Sequence, residues 1–124
     1  VKLLLVDDEP ALAKLLAAFL ERAGHSVALA ATGEEGLARF AEEPWDAVIA
    51  DLTLPGISGE DMVRRMLEMV PPQPVIISSG YPYSAAALPA AFRGQIQVLQ
   101  KPYLPKMLAE VLERISAKRS GAGA

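Results

Sequence analysis

The chain is expected to fold as an α/β protein, a doubly wound parallel sheet of five strands. Two observations carry that expectation. Short, continuous apolar runs rich in Val, Ile and Leu recur along the chain, as in "KLLLV" (2–6), "AVIA" (47–50) and "VIIS" (75–78). Such runs suit parallel strands covered on both faces. Between them lie segments with helical periodicity and short connections, and alternating strand–helix units build an α/β sheet with right-handed crossovers.

The elements follow in order. "KLLLV" (2–6) is strand 1. Pro10 then suits a first helical turn, and Leu12, Leu15, Leu16, Phe19 and Leu20 form an i, i+3, i+4 stripe that Gly24 stops. "SVALA" (26–30) is a weaker second strand, with His25 on the surface of the preceding turn. Thr32 and Glu35 have the spacing of a capping box, opening a helix that buries Leu37 and Phe40. Trp45 precedes strand 3 (47–50) as a packing residue. Ser58 and Asp61 are spaced like another cap, for a helix through Met62, Met66 and Met69, which are expected to face the core. "PPQP" (71–74) ends it. After strand 4 (75–78), "SAAALPAAF" (84–92) predicts a short or kinked fourth helix, because an interior proline costs about 3 kcal/mol. "QVL" (97–99) is strand 5. The last helix is expected from about Pro105 to Ala117, with Met107, Leu108, Val111, Leu112 and Ile115 on one side. The domain is placed at 1–117 and a flexible tail at 118–124.

Composition sets limits on function. The chain has 124 residues, 52% of them hydrophobic, enough for one core. A net charge of −3 argues against a nucleic-acid footprint. There is no cysteine, hence no disulfide framework and no thiolate metal site. No apolar run reaches the roughly 18 residues of a membrane span, and no signal-peptide pattern is present. A cytoplasmic setting is expected. The chain begins at Val1 without methionine, which fits a processed chain or a piece of a longer protein.

In doubly wound sheets ligands bind beyond the carboxyl ends of the strands. Asp7, Asp8 and Glu9 follow strand 1, Asp51 ends strand 3, Ser78, Ser79 and Gly80 end strand 4, and Lys101 and Pro102 follow strand 5. Carboxylates from neighbouring strands do not stay ionised close together without a cation. The ligands on offer are hard oxygens, which selects Mg²⁺ or Mn²⁺ over zinc. A carboxylate can also attack phosphorus to give an aspartyl phosphate, with a hydroxyl and a lysine stabilising the phosphoryl oxygens. The plainer readings are a solvated cap for Asp7–Asp8, a turn hydroxyl for Ser79 and a surface ammonium for Lys101. Glu9 belongs with the start of helix 1, where negative charge suits the dipole.

The motifs "VDDEP" (6–10), "DLTLPGISG" (51–59), "SSGY" (78–81) and "KPY" (101–103) stand at the ends of the right strands. Together they resemble the receiver domain of the response-regulator family of two-component signalling, over roughly residues 1–117. The resemblance implies a flavodoxin-like (βα)5 fold with strand order 2-1-3-4-5. It implies a phosphoacceptor at Asp51, and Mg²⁺ held by Asp8, by Asp7 through water, by Asp51 and by the Thr53 backbone carbonyl. Ser79 and Lys101 match the groups that follow the phosphoryl charge, and the Lys101–Pro102 bond is expected to be cis, as proline permits. Gly80, Tyr81 and Thr53 occupy positions expected to modulate the chemistry, and a bulky Tyr81 is expected to slow hydrolysis of the acyl phosphate. The implied donor is a phosphohistidine on a sensor histidine kinase or a histidine phosphotransfer protein. The implied outlet is an output domain or a homodimer through the fourth helix, strand 5 and the last helix. Such domains phosphorylate and dephosphorylate themselves but turn over no separate substrate. "SGYP" and "LQKPY" look more like receivers attached to hybrid histidine kinases than like free-standing ones.

One position departs from the pattern. Receivers often carry Tyr or Phe three residues before the lysine, and this chain has Val98. That keeps open a degenerate receiver acting only through protein contacts. A haloacid-dehalogenase-like phosphohydrolase would need a second carboxylate two residues after the nucleophile, where Thr53 stands. A flavodoxin-like cofactor module would need a phosphate loop after strand 1, where "DDEP" would repel phosphate.

Overall fold

Leu3, Leu4, Leu5 and Val6 are all buried, so the first strand has no solvent face. Alternation still sorts its side chains, because successive residues point to opposite sides of a sheet. Leu4 and Val6 join Val48, Ala50, Val75 and Ile77 in one core layer, while Leu3 and Leu5 join Ala47, Ile49 and Ile76 in the other. The computed structural model that shows this describes residues 1–84 and 88–123, with 116–123 described by backbone alone.

The strands are β1 (Lys2–Val6), β2 (Ser26–Ala30), β3 (Ala47–Asp51), β4 (Val75–Ser79) and β5 (Ile96–Gln100). All neighbours pair in parallel, in the order β2-β1-β3-β4-β5. This is the five-stranded doubly wound sheet expected from the apolar runs. Helices α2 (Gly33–Glu42) and α3 (Gly59–Met69) cover one face, contributing Phe40, Met62, Val63, Met66 and Leu67. Helices α1 (Pro10–Arg22) and α4 (Pro105–Gly123) cover the other with Leu16, Leu20, Leu108, Val111 and Leu112.

The starts of α1, α2 and α3 and the stop of α1 are where the sequence put them. Pro10 sits in the first turn of α1. Gly24 takes φ +99°, and the His25 N–H donates to the Leu20 carbonyl, a left-handed stop that only glycine adopts without strain. Thr32 Oγ1 accepts from the Glu35 N–H, and Glu35 Oε1 accepts from the Ala31 N–H one residue before the cap, a variant of the capping box at the start of α2. Ser58 caps α3 through the Asp61 N–H. Trp45 is buried, donates to the Arg39 carbonyl and lies under Lys2, a packing role.

Several expectations need correction. On α1 the buried stripe is Ala13, Leu16, Ala17 and Leu20, with Leu12 beside it. Leu15 is 61% exposed and Phe19 also faces solvent. The small Ala13 and Ala17 bring the helix close to the sheet on that side, which turns Leu15 outward. Met69 and Met107 are exposed as well, because Val63 and Leu67 on α3 and Leu108 and Val111 on α4 fill the facing positions. His25 is half-buried rather than a surface residue. Between β4 and β5 the described residues form a 3₁₀ helix, Ala90–Gln95, with Pro89 just before it. Residues 85–87 of the expected fourth helix lie outside the described residues. The last helix runs on to Gly123, so 118–123, expected as tail, is helical backbone. No proline interrupts it beyond Pro105, and Ala, Lys and Arg are good helix formers.

Among the described glycines, Gly59 leaves the least room for a Cβ. A Cβ there would collide with the Asp51 carbonyl oxygen and with Leu52 backbone, neither of which can swing aside. Gly59→Ala is expected to destabilise the protein by about 2–3 kcal/mol. Gly94, with nothing within 4 Å of its added Cβ, serves as the control: Gly94→Ala is expected to change stability by less than about 0.5 kcal/mol. Urea denaturation of the two variants beside wild type measures the difference.

Candidate functional site

Parallel pairing in register brings the carboxyl ends of β1, β3, β4 and β5 to one rim. Val6 pairs with Ala50, Asp51 with Ser78, and Ser79 with Gln100. The residues that follow each strand therefore meet. The Asp7 N–H still donates to the Ala30 carbonyl and the Lys101 N–H to the Ser79 carbonyl, so the ladder extends into the site and fixes both backbones.

Asp51 is the centre of the cluster. It is 6% exposed. Its Oδ1 accepts from the Thr53 N–H at 3.1 Å and its Oδ2 accepts from Lys101 Nζ at 3.0 Å. Asp7 is equally buried, and its Oδ1 accepts from the Glu9 N–H at 2.9 Å, the turn that leads into α1. Asp8 is exposed. One carboxylate oxygen from each of Asp7, Asp8 and Asp51 lies within 4.8 Å of the others. The Lys101–Pro102 peptide bond is cis.

Electrostatics here are out of balance. Three carboxylates face one ammonium. Burial pushes the Asp7 carboxyl above its ordinary range; the Glu9 N–H and Lys101 pull it back, and the Asp51 and Glu9 charges push it further up. Burial works against the Lys101 ammonium, yet the hydrogen bond and charge of Asp51, then Asp7 and Glu9, hold its pKa above the ordinary lysine value. The lysine is thus fully charged and still leaves negative charge uncompensated. A hard divalent cation fits this donor set: clustered carboxylate oxygens, with no His or Cys among them.

The other expected residues lie around this centre. Thr53 is exposed, next to the carboxylate through its own N–H. Ser79 is buried, and its hydroxyl is engaged by Tyr81: it donates to the Tyr81 carbonyl at 2.5 Å and accepts from the Tyr81 N–H at 3.2 Å. Gly80 is exposed with open space where a Cβ would be, Tyr81 is exposed, and Val98 is exposed on β5. Ser78, one residue before Ser79, has a buried Oγ with no hydrogen-bond partner among the described residues.

Other residues that hold the site were missed. Glu34 Oε1 accepts from the Ile57 N–H at 3.0 Å, and its carboxylate abuts Gly56, whose φ is +77°. Gly33 gives Ile57 room against α2. These contacts clamp the loop between Asp51 and α3. Gly56 in "LPGISG" was a signal for a turn, but nothing local points from it to Glu34, far back in sequence.

Three comparisons bear on this geometry. The family model described as "Response regulator receiver domain" matches residues 3–113. Among curated proteins, the transcriptional regulatory protein GlrR of Escherichia coli K12 is 38% identical over 100 residues, covering 81% of this chain and 22% of GlrR. The chain thus spans about a fifth of that relative's length. Among solved structures, the receiver domain of the hybrid histidine kinase CckA superposes with a TM-score of 0.78 at 30% identity, covering 93% of this chain and 98% of that one. The response regulator TrrA of Thermotoga maritima, solved in complex with Mg²⁺ and BeF, gives 0.80 at 26% identity, covering 92% and 97%.

The raised Asp7 carboxyl makes a prediction about pH. A group whose folded pKa lies above its unfolded value weakens the fold as pH rises through that window. With divalent cations removed, Asp7→Asn is therefore expected to raise the urea midpoint at pH 7. The gain should shrink as pH falls and vanish below the ordinary carboxylate pKa, where wild-type Asp7 is protonated in both states. An unchanged midpoint at pH 7 would show that the Asp7 charge carries no penalty.

Proposed function

Because the chain belongs to the response regulator receiver domain family, a signalling family, we propose that Asp51 accepts a phosphoryl group from a phosphohistidine, with Mg²⁺ bound beside it. The observation that carries this is the setting of Asp51: a buried carboxylate held by the Thr53 N–H and Lys101, within reach of Asp7 and Asp8. The phosphohistidine belongs to a sensor histidine kinase or a histidine phosphotransfer protein, in the cytoplasm.

In the transfer, an Asp51 oxygen forms the new O–P bond while the P–N bond breaks and its electron pair returns to the imidazole of the donor. Lys101, already on Oδ2, is placed to bind a phosphoryl oxygen, and its charge offsets what accumulates there. Ser79 would bind another once its hydroxyl leaves Tyr81. Asp7, Asp8, Asp51 and the Thr53 carbonyl would hold Mg²⁺, with Mn²⁺ chemically acceptable in the same oxygen set. The ion supplies the positive charge that lets carboxylates and a phosphoryl group share one site. The similar response regulator TrrA was solved in complex with Mg²⁺ and BeF, which supports a divalent ion at this site. No separate substrate is turned over: the domain promotes its own phosphorylation and dephosphorylation.

Output passes to the region between β4 and β5 and to α4, either toward a linked output domain or a second copy of the chain. The likeness to the receiver of CckA, a hybrid histidine kinase, supports a parent of that architecture. No helix among the described residues is long and apolar enough to cross a membrane.

Two measurements check this reading. Wild type incubated with Mg²⁺ and a small phosphodonor is expected to carry one acid-stable, base-labile phosphoryl group. Asp51→Ala and chelation by EDTA should each abolish it, and labelling that survives in Asp51→Ala overturns the assignment. Tyr81→Ala is expected to shorten the lifetime of the phosphoryl group severalfold by opening the site to water; equal lifetimes would sink the role given to Tyr81.

A further inference from the structure

Tyr83 has no part in the chemistry described above, yet it is tied down. Its phenol O–H donates to Glu60 Oε2 at 2.7 Å. The ring is half-buried and packs against the core layer under α2 and α3. Glu60 stands in the first turn of α3, directly after Gly59, the residue whose backbone abuts the Asp51 carbonyl. One side chain thus ties the segment after β4 to the helix that starts beside Asp51. Burial first, and then Glu60, push the phenol far above its usual range, so it stays a proton donor at physiological pH.

The same segment occupies Ser79. A hydroxyl has one proton to give, and Ser79 gives it to the Tyr81 carbonyl. While that bond stands, Ser79 cannot donate to a phosphoryl oxygen. Tyr81 lies two residues from Tyr83, and two residues of chain span at most about 7 Å. A shift that frees Ser79 from the Tyr81 carbonyl therefore pulls on Tyr83 and its bond to Glu60.

We propose that the Glu60–Tyr83 pair is a latch that holds residues 80–83 in the arrangement where the Ser79 hydroxyl is bonded to Tyr81, which makes Tyr83 a positioning residue for the phosphoryl-binding step. The role in phosphoryl binding rests on the proposed function; the latch itself does not. Opening it exchanges one hydrogen bond to a charged carboxylate for one to water. The cost to the resting arrangement is small enough for a bound phosphoryl group to overcome.

The test has two arms on the intact chain. Tyr83→Phe keeps the ring and removes only the hydroxyl. In metal-free protein it is expected to speed amide hydrogen exchange at Tyr81 by about three- to tenfold, leaving Ile49 and Ile76 in the central strands at the wild-type rate. Unchanged exchange at Tyr81 overturns the latch, whatever the protein does with phosphate. In the second arm, beryllofluoride with Mg²⁺ is titrated calorimetrically. Tyr83→Phe and Glu60→Ala are each expected to bind about three- to tenfold tighter than wild type, and the double variant no tighter than either. Glu60→Gln, which keeps an acceptor oxygen, should stay near wild type. Equal or weaker binding in Tyr83→Phe overturns the positioning role. Failure of wild type itself to bind beryllofluoride, alongside faster exchange in Tyr83→Phe, would overturn the phosphoacceptor reading and its coupling to the latch while the latch stands.

Discussion

The ion pair between Lys101 and Asp51 is the constraint around which the rim is arranged. It joins β3 to the residue after β5 across the width of β4, at 3.0 Å and largely out of water. Buried pairs of this kind seldom add much net stability, because removing both charges from water offsets their attraction. Its value lies in geometry. The pair fixes one oxygen of Asp51, the Thr53 N–H fixes the other, and the carboxylate has no freedom left to turn away. Asp7 and Asp8 can then face it only at an electrostatic cost that the lysine meets in part.

That cost is tolerable because the rest of the fold is ordinary. Every residue of β3 and β4 is buried, and the two core layers are filled by Leu, Val, Met, Ala and Phe from four helices. At about 25 cal/mol per Å² of apolar surface removed from water, such layers supply the stability that the rim consumes. The division also isolates the site mechanically. Close-packed interiors transmit strain but deform little, so a change in charge at Asp51 must be absorbed by the loops that follow the strands.

How far the sequence revealed this depended on the kind of signal. The strands were readable because short continuous apolar runs bounded by turn residues suit covered strands and little else. The helix starts were readable because Thr32–Glu35 and Ser58–Asp61 are local hydrogen-bond devices. The carboxylates and Lys101 were readable because parallel strands carry whatever follows them to one rim. The exposed sides of α1, α3 and α4 were not. Leu15, Met69 and Met107 fit a helical period as well as their buried neighbours do, and only the packing of small residues such as Ala13 and Ala17 decides which way the helix rolls. Glu34 and the Glu60–Tyr83 pair were invisible for a different reason: each joins residues more than twenty apart in sequence through a single side chain, with no periodicity to betray it.

On the proposed reading, the same contrast separates what would hold the phosphoryl chemistry from what would regulate it. Asp51, Asp7 and Lys101 are fixed by the ladder and by one another, so their positions change little whether or not charge arrives. Ser79 differs. Its backbone belongs to β4 and its carbonyl holds the Lys101 N–H, but its hydroxyl is bonded to a segment outside the sheet. Releasing it from Tyr81 takes a shift of that segment, and no strand need move. A ligand shifts such an equilibrium only by its differential affinity for the two arrangements. If the site binds a phosphoryl group as proposed, the resting contacts of Ser79 and Tyr83 set how much of its binding energy goes into switching. Those contacts are few and reach a segment outside the sheet, so a substitution that keeps the Tyr83 ring packed, such as Tyr83→Phe, would retune the proposed switch while leaving the fold and Asp51 intact.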